Sequence, residues 1–514
     1  MITTAVTSFL LACVFSAALT AMAIKLAPRI GLVDHPDQQR KQQSRPIPLG
    51  GGAAVFLATV AVLGWLVYVA SPLRMQVNED WTNLLGAAIA CAWIVNLGLV
   101  DDRFGLRARQ KLAGQIVAAG ILVASGVMIR NIGIFGMEID LGLLAIPVTL
   151  FWLTGAINAL NLLDGMDGMA TVVGLILSLA ICALALLTHH AAVAIVALVF
   201  AGALLGFLPF NLSPAKIYLG DAGSMLIGII VGCLSIRATV KGAGTVLLAA
   251  PLAVMTIPIL DSFAAILRRR LAGQSIGAAD RGHLHHRLLA RFGSKYKVLA
   301  CVAFCSVVTC GCALVSAATK SDAVALVASF AVVATLAVTG WFGQGEFMLL
   351  GSRLWNAARS LVRRPNPNHS LARESTTRIQ GSRQWGILWA TLTESGDKLG
   401  LTKIHLSVNA PAIEEVYSGS WESPLHHDRQ DHWQMRLPLL VAGHTVGSLE
   451  IAGENNGHSN VDTIELVQDI LEPFELQLND FAEEAIVAKV GKHRSIVNGE
   501  PYHRHRNQSK LAGS

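Results

Sequence analysis

The sequence predicts an all-α polytopic membrane body of about eleven transmembrane helices, N-terminus outside, followed by a cytoplasmic α+β domain. Three observations carry that expectation. Only 14% of the 514 residues are charged while 53% are hydrophobic, against roughly 25% charged in an average soluble domain. The charge is unevenly placed: residues 1–342 hold 14 acids and 23 Lys and Arg, whereas residues 343–514 hold 20 and 17. Apolar runs near the ~20 residues that cross a hydrocarbon core recur only before residue 343. An ordinary cytosolic protein is excluded, and a basic membrane body precedes a slightly acidic soluble part.

The apolar runs centre on residues 5–24, 50–70, 82–100, 112–128, 142–157, 168–187, 191–208, 222–236, 245–264, 297–317 and 323–342. With the N-terminus outside, the inner loops (25–49, 101–111, 158–167, 209–221 and 265–297) hold 18 Lys and Arg, and the outer loops five. The excess of basic residues in cytoplasmic loops selects that orientation, and an odd number of spans leaves the C-terminal part in the cytoplasm. The first run ends in Ala21-Met22-Ala23, like a signal-peptidase site. No basic segment precedes it and Lys25 and Arg29 follow it, so a retained helix is expected. All eight cysteines lie within apolar runs, where they read as packing residues and not as a disulfide framework or zinc site.

Apart from boundary residues, the spans hold only Asp261 as an ionisable group, near a cytoplasmic end. Ion-coupled transporters place such groups along a pathway inside the membrane. A transporter or lipid flippase is therefore disfavoured, and chemistry at one membrane face is expected. Asp101 and Asp102 close the third span and lead to Lys111. Acids at a helix C-terminus oppose the helix dipole, and beside a bilayer they are costly unless a cation meets them. A functional role is favoured over a solvated turn.

Asn158, Asn161, Asp164 and Asp167 recur every third residue, a spacing that drifts around an α-helix and suits a curved lining or a 3₁₀ turn. Such hard oxygens suit Mg²⁺ held together with substrate phosphates and water, and the spacing of a calcium loop is absent. Asp221, ahead of Gly223 and Ser224 at a helix start, reads as an N-cap, a phosphate site, or both. Beyond Asp261, Arg268, Arg269 and Arg270 read as a lipid anchor. Arg281, His283, His285, His286 and Arg287 read as donors to a pyrophosphate, without the further ligands a zinc site needs. The glycine turn Gly50-Gly51-Gly52 entering the second span is a weak signal alone. Together the clusters imply phosphoryl transfer or hydrolysis on a phosphorylated amphiphile, with the substrate left open. A degenerate body serving only as a membrane receptor is disfavoured by the intact acids.

Five segments occur in order: R-P-I-P-L-G-G at 45–51, D-D-R at 101–103 with K-L-A-G-Q at 111–115, N-A-L-N-L-L-D-G-M-D-G at 158–168, P-A-K-I-Y-L-G-D-A-G-S at 214–224 and D-R-G-H-L-H-H-R-L at 280–288. Over about residues 1–342 this set resembles the polyprenyl-phosphate N-acetylhexosamine-1-phosphate transferases of glycosyltransferase family 4. Asp280-Arg281 ahead of the histidines is similar to the N-acetylglucosamine-1-phosphate branch. The phospho-N-acetylmuramoyl-pentapeptide transferases of peptidoglycan synthesis, with their P-x-H-H-H motif, are the alternative.

The resemblance implies transfer of a sugar 1-phosphate from a UDP-sugar to a polyprenyl phosphate such as undecaprenyl phosphate, releasing UMP. That is the first membrane step of cell-envelope glycan synthesis, at the cytoplasmic face of the cell membrane. It implies Mg²⁺ or Mn²⁺ bound by Asp221, with Asn161 as second ligand. Asp101 and Asp102 would orient or deprotonate the lipid phosphate, and Lys111 would lie near phosphate or nucleotide. Asp164, Asp167 and Asn158 would line the nucleotide-sugar pocket, Tyr218 would stack on uracil where many members have Phe, and Arg281 with His283, His285 and His286 would hold the pyrophosphate. In-line attack by the lipid phosphate is favoured, while an aspartyl-phosphate route remains chemically open. The implied partners are the two substrates and membrane lipids, with no nucleic acid, and a second copy of the chain in a homodimer.

Residues 343–383 read as a basic linker along anionic headgroups. Residues 384–490 read as an α+β domain, with strands at 385–392, 403–408, 433–441 and 444–452, the last two forming a hairpin, and a helix over 461–488. R-L-P-L-L-V-A-G-H-T-V-G-S-L-E-I resembles the end of a GAF-like sensory domain, which implies a regulatory or interaction role with a protein or ligand partner. Residues 491–514 read as a disordered tail.

Overall fold

The structure is a computed structural model that describes residues 2–34, 46–69, 81–135, 137–241, 245–247, 249–271, 283–339, 373–380, 389, 393, 401–410, 415–423, 432–441 and 444–454. Arg281, the helix expected over 461–488 and the tail expected over 491–514 lie outside the described residues. The chain divides into a membrane unit (1–267 with 279–344) and a second unit (268–278 with 345–514).

In lipid, an apolar segment satisfies its own backbone N–H and C=O groups only as a helix, and the long Ala, Leu, Val and Gly runs fold accordingly. The membrane unit contains α1 (Ile2–Leu26), α2 (Gly51–Tyr68), α3 (Trp81–Phe104), α4 (Ala108–Ala124), α5 (Ala145–Leu163), α6 (Met169–Leu187), α7 (Ala191–Asn211), α8 (Gly220–Thr239), α9 (Ala249–Val254), α10 (Thr256–Leu271), α11 (Leu284–Phe292), α12 (Lys295–Thr319) and α13 (Asp322–Val338). Eight of these, α1 to α3, α5 to α8 and α12, are long and apolar enough to cross a membrane. The chain is a multi-pass, mostly helical membrane protein. α4, α10 and α13 occupy three more of the expected runs and are shorter.

Two features depart from the all-helical expectation. The run at 245–264 is broken into a strand, α9 and α10. Pro258 has no N–H to return to the carbonyl four residues back, which weakens helical continuity there. The connections at the end remote from the acidic loops form a four-stranded sheet in the order β4-β3-β6-β5, from β3 (Asn131–Ile134), β4 (Met137–Asp140), β5 (Val240–Lys241) and β6 (Thr245–Leu247). A shorter pair, β1 (Val33–Asp34) with β2 (Ile47–Pro48), leads into α2.

The bundle is organised around α8, whose residues are buried almost throughout. It packs against α2, α3, α5 and α6, and small residues set the distance. A Cβ on Gly98 of α3 would stand 2.2 Å from Cα of Ala222, and one on Gly52 of α2 would stand 2.2 Å from the backbone N of Gly223. One on Gly228 would stand 2.5 Å from Cα of Ile157 in α5. Close backbone approach between small residues is the main packing device where water supplies no driving force between helices. It leaves the α8 N-terminus little freedom to move.

The second unit holds a five-stranded antiparallel sheet, order β10-β11-β8-β9-β7, from β7 (Arg373–Gln380), β8 (Leu401–Ala410), β9 (Glu415–Glu422), β10 (His432–Val441) and β11 (His444–Glu454). The hairpin expected around residue 442 is β10–β11, with Val441 opposite His444. Two readings change. Residues 373–380, read as linker, are the edge strand β7. The strand expected at 385–392 is absent at Trp389, which is helical with Thr393; the Thr393 hydroxyl donates to the Trp389 carbonyl at 3.2 Å. Trp389 is buried against Gly419, so its apolar surface is covered by the sheet without joining it.

Gly98→Leu is expected to force α3 away from α8, lowering stability by about 1–3 kcal/mol or more. A fall in the thermal midpoint of the detergent-purified protein relative to Gly120→Leu, whose site has open space, checks this.

Candidate active site

The site is built on the first turn of α8, where backbone N–H groups have no intrahelical partner. Asp102, at the end of α3, supplies it. Its Oδ1 accepts the Asp221 N–H at 2.8 Å and its Oδ2 the Ala222 N–H at 3.4 Å. Gly220 permits this, since its φ is +72° and a Cβ there would stand 2.5 Å from the Asp102 carboxylate. The unfavourable placement of Asp102 at the end of its own helix is thus offset at the positive end of another. Asp221 itself, a candidate N-cap from sequence, lies inside the turn with its side chain free for other work.

That side chain meets two helices. Lys111, in the first turn of α4, donates to Asp221 Oδ2 at 2.7 Å and contacts Asp101 Oδ2 at 2.9 Å. Asp101 Oδ1 also accepts the Leu106 N–H at 2.7 Å, closing the α3–α4 turn. Asn161 of α5 donates to Asp221 Oδ1 at 2.7 Å and to the Ser224 hydroxyl at 2.9 Å. One helical turn from each, Asn158 donates to Gln115 Oε1 at 2.7 Å. Lys111 and Gln115 share a face of α4, and Asn158 and Asn161 a face of α5, by i, i+4 and i, i+3 spacing.

Asp164 ends α5 and accepts no hydrogen bond among the described residues. Burial pushes its carboxyl up to about 8, helped by the carboxylates of Asp221, Asp102 and Asp167. Asp167 pairs instead with Lys295 at 3.2 Å. Tyr218, packed beside Ala27, Leu32, Leu49 and Leu99, is a neutral phenol, raised to about 12 by burial and then by Asp167 and Asp34. The glycine turn docks here too: the Gly51 and Gly52 N–H groups donate to the carbonyls of Tyr218 and Leu219 at 3.1 and 2.9 Å, and Tyr218 N–H donates to Pro48. The turn therefore ties the α2 N-terminus to the segment that delivers Asp221.

Of the three histidines, His283 and His285 are buried and His286 is exposed. His285 lies on Gly165, where a Cβ would stand 2.1 Å from its Cε1, and both its ring nitrogens are buried without a hydrogen-bond partner among the described residues. Burial, and then His286, pushes it down to about 3, so it is neutral. The structure thus brings Asp101, Asp102, Lys111, Asn161 and Asp221 into one network, with Asn158 joined to Gln115 a helical turn away. Asp164 stands beside the network, and His285 against the Asp164–Asp167 turn. Gln115, Ser224 and Lys295 were missed from sequence. The first two were readable as same-face neighbours of Lys111 and Asp221; Lys295 has no local signal.

Four carboxylates (Asp101, Asp102, Asp164 and Asp221) converge with Lys111 as their sole ion-paired cation among the described residues. No three His, Cys, Asp or Glu side chains there form a ready-made metal cage. Mg²⁺ takes one or two carboxylates and fills its octahedron with water and phosphate oxygens, and Asp221 with Asn161 could supply protein oxygens to such an ion. The donors are all oxygen, and the Asn161 carbonyl remains beside Asp221.

A cluster of this kind on one face of a polytopic helical body defines a membrane enzyme acting on phosphorylated substrates, and the chain belongs to glycosyl transferase family 4, whose profile matches residues 84–239. Among its relatives it is 38% identical over 289 residues to the decaprenyl-phosphate N-acetylglucosaminephosphotransferase of Mycobacterium tuberculosis (strain ATCC 25618 / H37Rv), covering 51% of this chain and 70% of that protein. It is 32% identical to the probable undecaprenyl-phosphate N-acetylglucosaminyl 1-phosphate transferase of Bacillus subtilis (strain 168), covering 56% and 77%. With the undecaprenyl-phosphate alpha-N-acetylglucosaminyl 1-phosphate transferase of Yersinia pestis the identity is 28%, over 54% and 74%.

Asp102→Ala is expected to leave the α8 N–H groups unpaired and to lower stability by about 1 kcal/mol or more, with Asp102→Asn costing less because one oxygen remains. Thermal unfolding of the two variants in one detergent checks the order.

Proposed function

We propose that the protein transfers N-acetylglucosamine 1-phosphate from UDP-N-acetylglucosamine to a polyprenyl phosphate, releasing UMP, with Mg²⁺ as cofactor. The observation that carries this reading is the pairing of two carboxylates, Asp101 and Asp221, with the one cation Lys111 at the fixed N-terminus of α8, an excess of negative charge that calls for a divalent cation beside an amphiphile's headgroup. The relatives' names supply the sugar and the lipid. In this reading the body has eleven spans with the N-terminus outside, so the site faces the cytoplasm and the inner leaflet.

Lys111, held between Asp101 and Asp221, positions the acceptor phosphate. Both oxygens of Asp102 are committed to α8 N–H groups, so its part is to fix Asp221. Asp221 and Asn161 would hold the Mg²⁺, which would supply charge neutralisation at the pyrophosphate. Asp164 and Asp167 line the nucleotide-sugar side, and Tyr218 offers its ring to the base. An oxygen of the lipid phosphate forms a bond to the β-phosphorus as the bond from that phosphorus to the bridging oxygen breaks, and UMP leaves with that oxygen. Orientation and electrostatic stabilisation then supply most of the acceleration. The second unit serves regulation or partner binding.

Purified protein supplied with polyprenyl phosphate and a panel of UDP-sugars is expected to release UMP fastest from UDP-N-acetylglucosamine, to stop on chelation and to recover with added Mg²⁺. Asp221→Asn is expected to cut kcat about 100-fold or more while still inserting into membranes. Chelator-insensitive turnover, or near-normal activity of Asp221→Asn, would overturn the assignment.

A further inference from the structure

The carboxylate of Asp261 plays no part in the transfer described above, yet it is fully buried within α10. A charged group in such a place persists only when its partners are well arranged. Asp261 has two: Oδ1 accepts the Leu284 N–H at 2.7 Å, and Oδ2 lies 3.2 Å from His283 Nδ1. Leu284 is the first residue of α11, so Asp261 caps that helix from another one, as Asp102 caps α8. By accepting from Nδ1 it also fixes which ring nitrogen of His283 carries the proton.

The contacts continue toward the site. The His283 ring lies nearly parallel to that of His285, at 9° with centroids 5.9 Å apart, and His285 is 4.2 Å from His286. His285 rests on Gly165 with both nitrogens buried and without a hydrogen-bond partner among the described residues. At the far end of the same segment Lys295 holds Asp167, and the Tyr296 hydroxyl donates to the Ser213 carbonyl. Residues 283–296 therefore form a strap across the Asp164–Asp167 turn, pinned at one end by Asp261 and at the other by Asp167 and Ser213.

We propose that Asp261 is a positioning residue for the donor half of the reaction: through His283 and the start of α11, it holds the imidazoles of His285 and His286 against the Asp164–Asp167 turn. This rests on the reading of that turn as the nucleotide-sugar side. The acceptor side, at Asp101 and Lys111, lies on other helices. Loss of the latch therefore acts on one substrate, whereas a general loss of structure acts on both.

The test uses full-length protein with UDP-N-acetylglucosamine and polyprenyl phosphate, comparing wild type, Asp261→Asn, His283→Asn and the double variant. Asp261→Asn keeps an oxygen for the Leu284 N–H but sets an amide N–H opposite Nδ1, which reverses the His283 tautomer. His283→Asn keeps an N–H for Asp261 and removes the ring, and it reads the same outcome if Asp261→Asn does not fold. The expected result is a fall in kcat/KM for the UDP-sugar of about tenfold or more in each single variant, with KM for polyprenyl phosphate within about twofold of wild type. The double variant is expected to be no worse than the worse single, as groups acting in series require. UDP-sugar kinetics within about twofold of wild type, equal rises in both KM values, or additive costs would overturn the proposal. If wild type forms no UMP from any UDP-sugar, the transferase reading itself is overturned, and this proposal with it.

Discussion

The carboxylate of Asp102 on the first N–H groups of α8 is the contact on which the site depends. It fixes the backbone of Asp221 at 2.8 Å, and α8 is in turn fixed by backbone approaches to α2, α3 and α5 that only small residues permit. Asp221 then stands at a helix N-terminus, where the dipole favours negative charge, at a point where α3, α4 and α5 each present a polar side chain. The glycine turn before α2 locks the preceding Tyr218-Leu219 segment from the other side. Chemistry placed on so constrained a backbone needs little reorganisation when substrates arrive.

Electrostatics divides the acids into two kinds. Asp102, Asp167 and Asp261 are satisfied by a helix terminus, by Lys295, and by a helix terminus with a histidine. Asp101 and Asp221 share Lys111, and Asp164 has no hydrogen-bond partner among the described residues and is driven up to about 8 by burial and its neighbours. Two carboxylates on one lysine leave a local negative excess, which is the property a cation and a pyrophosphate would exploit together. The same scarcity of charge that suits the membrane body to lipid makes the task of each acid in the cluster identifiable.

Much of this was legible from residue order. Helices follow from apolar length, and the grouping of Asp101, Asp102, Asp164, Asp167 and Asp221 on one face follows from alternating spans, because each acid stands at a run's inner end. The division of labour was not legible, since it depends on partners distant in sequence. Asp102 reads as an opposed dipole until α8 is placed against it, and His283 and His285 read as open phosphate donors until burial and Asp261 are seen. The break in the run at 245–264 was signalled by Pro258 and hidden by continuous hydropathy. The remote four-stranded sheet was hidden because its strands are short and join segments about 100 residues apart, such as Asn131 and Thr245. In the second unit the β10–β11 hairpin carried its alternation in the sequence. β7 did not, because a strand rich in Arg, Glu, Ser and Thr reads as linker.

The divalent-cation seat proposed at the α8 N-terminus is built on Asp221. Titrating Mn²⁺ into the purified full-length protein and reading the free ion by electron paramagnetic resonance tests it without relying on turnover. The expected result is a saturable Mn²⁺ site that Mg²⁺ displaces and that Asp221→Asn weakens about tenfold or more, while Asp167→Asn leaves it intact. Equal Mn²⁺ binding by wild type and Asp221→Asn would contradict it.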